Sequence, residues 1–88
     1  MLLYKEIEKT FPAIEKVFSK EELLCFKDAS PIDLYLYHFG LGTWIRNNLL
    51  HPENSVLYNF LIENGIEDSD DMSTLIILLF HYHVSNKI

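Results

Sequence analysis

Apolar residues at the start of the chain recur at three- and four-residue steps, Leu3, Ile7, Phe11, Ile14 and Phe18, with Lys5, Glu6, Glu8, Lys9, Glu15 and Lys16 between them. That period predicts a helix with one buried face. Pro12 interrupts it, because proline removes one helical hydrogen bond and clashes with the preceding turn. Either a kinked helix results, or two short ones, the first ending near Glu8 and the second capped by Thr10 with Pro12 in its first turn. The phase shared across Pro12 favours the kink.

Ser19 and Glu22 have the S-x-x-E spacing of a capping box and open a short helix through Leu23, Leu24 and Phe26. Asp28-Ala29 reads as a linker. Ser30-Pro31-Ile32-Asp33 is a stronger start, since Ser30 can cap, Pro31 suits the first helical position and Asp33 sits near the positive helix end. In the segment that follows, Ile32, Tyr35, Leu36 and Phe39 share one helical face, and Leu34, His38, Leu41, Ile45 and Leu49 share another. Two apolar faces imply burial on most sides, with Tyr35 and Tyr37 burying their rings and keeping their hydroxyls at the rim. A strand over 34–37 is the competing reading; the cap at Ser30 and the phase continuing beyond Gly42 favour the helix. Gly40 and Gly42 each cost about 1 kcal/mol relative to alanine in a helix interior. Either the helix stops at Phe39 and restarts at Thr43, or a neighbour packs against bare backbone there.

His51-Pro52-Glu53-Asn54 reads as a turn, and Ser55 caps a helix with Leu57, Phe60 and Leu61 facing inward. Gly65 after Asn64 fits a left-handed terminus, with Ile66 folding back as a latch. In the acidic run Glu67–Asp71, Ser69 or Asp70 can cap a last helix from about Asp71 to Val84. That helix places Met72, Leu75, Ile76, Leu79, Phe80 and His83 on one face and Ile77, Leu78 and Tyr82 around the rest. An element so apolar is central, or half of an oligomer seam. The predicted fold is all-α, a single compact domain of four to five helices.

Composition sharpens this. Among 88 residues, 49% are hydrophobic and 14% aromatic, a surplus that a small domain cannot wholly hide, so exposed patches suited to a partner or to self-association are expected. Thirteen acidic residues against seven basic ones give a net charge of −6, which opposes nucleic-acid binding and favours a basic protein partner. The single cysteine, Cys25, excludes an internal disulfide and a Cys-rich zinc site; between Leu24 and Phe26 it reads as inert packing. A cytoplasmic setting is expected, because the N-terminus does not read as a signal peptide and the apolar run Leu75–Phe80 is too short for a bilayer.

The segment Leu41-Gly42-Thr43-Trp44-Ile45-Arg46-Asn47-Asn48, preceded by His38-Phe39 and followed later by Asp70-Asp71-Met72-Ser73, resembles a small bacterial domain family of unknown function with an LGxxIRN and DDxS pattern. The resemblance runs from about His38 to His83 and implies no activity. It divides the chain into an N-terminal helical extension, 1–30, and a core, 31–84. The chain departs from the pattern at Asn48-Leu49-Leu50-His51-Pro52, where a Gly-Leu-Trp-like sequence is expected, so the loop there is expected to have a different shape.

Arg46 is the only arginine, and its planar fork suits bidentate contacts that lysine cannot make. In an apolar helix it needs a partner, and Asp70 or Asp71 at the start of the last helix is the obvious one, with Asn47 satisfying loop carbonyls. His38, Arg46, Asn47, Asp70, Asp71 and Ser73 therefore form the candidate cluster, with Ser73 assigned to helix-start chemistry. The alternative is an anion pocket lined by His38, Arg46 and Asn47 in a small-ligand-binding or enzymatic domain. His81 and His83 point away from each other on a helix and cannot share a metal ion. No catalytic signature, cofactor or metal site is expected. The leading functional expectation is a non-enzymatic protein–protein interaction domain, acidic, self-associating as well, of an immunity or antagonist type that blocks a basic partner, with neither nucleic acid nor membrane as partner.

Overall fold

A computed structural model of the chain describes residues 2–51 and 55–87. Six helical segments follow in order: α1 (Leu2–Glu8), α2 (Phe11–Glu15), α3 (Lys20–Lys27), α4 (Pro31–Asn48), α5 (Val56–Glu63) and α6 (Ser69–Lys87). Five have seven residues or more and α2 is a five-residue turn. The fold is all-α, and residues 34–37 are helical.

At Pro12 the chain breaks rather than kinks. Thr10 folds back, its backbone N–H and its hydroxyl both donating to the Ile7 carbonyl at 2.9 and 2.6 Å. Proline then occupies the first turn of α2, where its missing N–H has no helical partner to lose. The apolar phase survives the break, since Ile7, Phe11 and Ile14 are all buried. Thr10 is the N-cap by position, but its hydroxyl is spent on Ile7 and does not cap α2.

The other local signals hold. Ser19 and Glu22 form both halves of a capping box, Ser30 accepts from the Asp33 N–H, and Ser55 accepts from the Tyr58 N–H. Ser55 also donates to the Leu49 carbonyl at 2.6 Å, tying the start of α5 to the end of α4. The turn expected at 51–54 lies, for Pro52–Asn54, outside the described residues. Gly65 has φ +88°, and the N–H groups of Gly65 and Ile66 bond back to Ile62 and Leu61. That is the reciprocal pairing by which a left-handed residue closes a helix. The last helix starts earlier than expected. Asp68, not Ser69 or Asp70, supplies the cap, accepting from the Asp70 N–H at 2.8 Å, and the helix runs on past Val84 to Lys87.

α6 is the central rod. It packs along α4 and against α1 and α3, while α5 rests on α1. Met72, Ile76, Phe80 and Val84 on α6 are sealed from solvent. Phe80 meets Phe11, Phe18 and Phe26 at ring-centroid distances of 5.4–6.1 Å, a cluster that joins α2 and α3 to the rod. Burying each such side chain stabilises by about 1.5–3 kcal/mol relative to exposure.

α4 departs from its expected burial on two faces. Leu41, Ile45 and the flanking Leu50 are buried with Leu34 and Leu49 partly so, but Ile32, Tyr35, Leu36 and Phe39 are exposed at 74, 68, 54 and 66%. Among the described residues only α6 is long enough to cover an 18-residue helix, and it covers one side. Neither glycine breaks α4. Gly42 lies under the crossing with α6, where an added Cβ would sit 3.1 Å from Arg46 Nη1 and 3.7 Å from Ile77 Cδ1; Gly40 faces open space.

Candidate functional site

Arg46 anchors the junction of the two long helices. Its Nη1 donates to Ser73 Oγ at 2.9 Å and lies 3.4 Å from Asp70 Oδ1, while Nη2 donates to Thr43 Oγ1 at 3.1 Å. Each hydroxyl spends its single proton on its own helix: Ser73 donates to the Asp70 carbonyl and Thr43 to the Phe39 carbonyl. Both are thereby held as acceptors toward the guanidinium. The Arg46 side chain is only 21% exposed, whereas that of Asp70 is 63% exposed. The hydroxyl bonds therefore hold the arginine more firmly than the solvated ion pair does.

His38 reaches the same place from one turn back. Its Nδ1 lies 3.6 Å from where a Gly42 Cβ would stand, the point that Arg46 Nη1 approaches to 3.1 Å. Four of the six candidate residues, His38, Arg46, Asp70 and Ser73, are thus brought to one junction. Asn47 and Asp71 are not. Each follows a junction residue by one position, which turns it about 100° around its helix and into solvent. The loop carbonyls expected as partners of Asn47 belong in part to Pro52–Asn54, outside the described residues, and the neighbouring Asn48 folds its amide back onto the Trp44 carbonyl at 2.9 Å. His81 and His83 diverge, the first with Nε2 3.0 Å from the Lys27 carbonyl and the second against Phe11 at 4.8 Å.

The feature that sequence reasoning assigned to the core is the open face of α4. Ile32, Tyr35, Leu36 and Phe39 fall at i, i+3, i+4 and i+7 and form one continuous ridge. A groove flanks each side. One, of about 310 Å³, runs between α4 and α6 and is lined by Pro31, Leu34, Tyr35 and His38 facing Thr74, Ile77 and Leu78. The other, of about 390 Å³, is shallower and lies between α3 and α4, with Cys25 and Ala29 facing Asp33, Leu36, Tyr37 and Gly40. Cys25 is exposed on its wall, not packed as expected. Tyr35 likewise exposes its ring, whereas Tyr37 is half-buried. Burial, and then the negative charges that Cys25, Asp33 and Glu22 carry at high pH, push the Tyr37 phenol above its usual range.

The signal that could have found this ridge was an imbalance of lengths. Two apolar faces on α4 need two long neighbours, and the sequence patterns supply one other long apolar helix.

Among the described residues no helix is long and apolar enough to cross a membrane. A family model described as a domain of unknown function, DUF6794, matches residues 5–84, taking in α1 to α3 as well as the later helices. No curated protein and no solved structure matches the chain.

Proposed function

This chain belongs to the DUF6794 family of domains of unknown function, and from that premise we propose that it is a non-enzymatic protein-interaction domain that docks a basic partner on the open face of α4. The observation that carries the reading is the ridge of Ile32, Tyr35, Leu36 and Phe39, each more than half exposed on a single helix. Contiguous apolar surface of this kind is uncommon on a monomer and marks interaction sites. The net charge of −6 selects a basic partner and opposes nucleic acid. One specific form of the role is an immunity or antagonist protein of a bacterial cytoplasm that covers a basic enzyme or a nucleic-acid-binding protein. The anion-pocket alternative draws little support, because Arg46 is already held by Ser73, Thr43 and Asp70.

The test is site-specific photo-crosslinking in the protein's own cells. A photoreactive residue in place of Tyr35 is expected to give a discrete adduct with a basic protein, and Phe39→Glu in the same chain to abolish it. The same residue in place of Val56, 79% exposed on α5, is expected to give none. No adduct at position 35, or equal adducts at both positions, would remove the reading.

A further inference from the structure

We propose that the occupant of this face is an amphipathic helix with a basic flank, seated in the groove between α4 and α6. The inference rests on the interaction reading and names the form of the partner.

The groove is shaped along helix axes. Pro31, Leu34, Tyr35 and His38 recur at i, i+3, i+4 and i+7 on one wall, so the channel follows α4 for about two turns, or roughly 10 Å. Ile77 closes its floor and Leu78 forms the far rim, buried and half-exposed respectively. A straight apolar channel of that length accepts side chains from one face of a second helix.

Backbone chemistry narrows the mode. The walls belong to α4 and α6, whose N–H and C=O groups are bonded within those helices, and among the described residues there is no strand edge to extend. Recognition must then run through side chains, as in helix-in-groove binding and not in strand addition.

Charge selects the flank. Asp70, its side chain still 63% exposed, and Asp71 stand on α6 within about one turn of Thr74 at the end of this groove, whereas Asp33 lines the other groove. The two helices carry two cations, Arg46 and Lys87. Both cations are engaged, Arg46 with Asp70 and Lys87 with Glu15 at 3.0 Å. A second copy of this chain would bring the same carboxylates toward each other with no spare cation from these helices, which opposes self-pairing. Lysines beside the apolar stripe of a different helix would meet them favourably.

The experiment uses the full chain and three synthetic peptides of roughly eighteen residues, or five turns. One has a Leu/Phe stripe at i, i+3, i+4 and i+7 with lysines elsewhere; one has the same stripe with glutamates; one has the lysine composition shuffled to destroy the stripe. Fluorescence anisotropy is expected to show the striped lysine peptide binding at least about tenfold tighter than either of the others. Leu78→Arg at the groove rim is expected to weaken it about tenfold, and Val56→Arg to leave it unchanged. Both positions are exposed, so both variants are expected to keep the parent's circular dichroism. Equal binding of striped and shuffled lysine peptides, or equal loss in the two variants, overturns the proposal. So does sedimentation showing a dimer of the chain that Leu78→Arg dissociates. If the peptides fail to discriminate while the crosslink from position 35 to another protein persists, the helix assignment alone falls; if the crosslink is absent too, both readings fall.

Discussion

Gly40 and Gly42 lie two positions apart in one helix and have opposite surroundings. A methyl at Gly40 meets nothing within 4 Å, whereas at Gly42 it stands 3.1 Å from Arg46 Nη1. Gly40→Ala is expected to stabilise by about 0.5–1 kcal/mol through helix propensity and reduced unfolded-chain entropy. Gly42→Ala is expected to lose that gain, because the methyl displaces the guanidinium from Ser73; urea unfolding of the two variants measures the difference. Arg46→Ala removes charge-assisted bonds to two hydroxyls and is expected to cost about 1–2 kcal/mol. In a domain of this size each kcal/mol lowers the melting temperature by about 4–8 °C, and an unchanged Tm would show that Arg46 does not clamp the junction. The partnership of Arg46 with Asp70 was legible in the sequence as one cation and a pair of acids at the ends of two apolar helices. Thr43 was not, and Ser73 was legible only as helix-start chemistry, because each becomes an acceptor for Arg46 only once its proton is committed within its own helix, Thr43 to Phe39 and Ser73 to Asp70.

At the scale of elements, the helix starts were the most readable features, since a cap is decided within four residues. Ser19, Ser30 and Ser55 all cap where their spacing says. The start of α6 was missed by two residues because Asp68, Ser69 and Asp70 can all cap, and only the backbone geometry selects Asp68. Pro12 was misread for a related reason. A continuous apolar phase records which face is buried, not whether the backbone between buried residues stays helical. The capping box of α3 has a measurable signature. The Ser19 backbone N–H, donating to Glu22 Oε1 at 2.7 Å, and the bond with its hydroxyl hold the Glu22 carboxyl below the usual range. A carboxyl with a lowered folded-state pKa stabilises above its unfolded value, and that contribution is lost as pH falls through the folded one. Stability is therefore expected to decline in part through Glu22 as pH falls through and below the ordinary glutamate range. Glu22→Gln, which retains the acceptor without titrating, is expected to remove that part, as read by unfolding midpoints across the acid range beside an NMR titration of Glu22.

For the whole molecule, the sequence showed that apolar residues exceed what 88 residues can bury, but not where the excess would surface. That outcome depends on packing geometry: α6 is enclosed by α1, α3 and α4, which leaves α4 with one covered side. The ridge is thus what remains after the most apolar helix has taken the centre. The net charge of −6 implies that association with a basic partner weakens as ionic strength rises. The most direct test of the ridge as a binding face, and not a misplaced part of the core, is the double variant Tyr35→Glu/Phe39→Glu, read for melting temperature and for the crosslink from position 32. The expected result is stability within about 0.5 kcal/mol of the parent, as for exposed sites, with the partner adduct gone. A collapsed melting temperature, or an adduct that survives both substitutions, would contradict it.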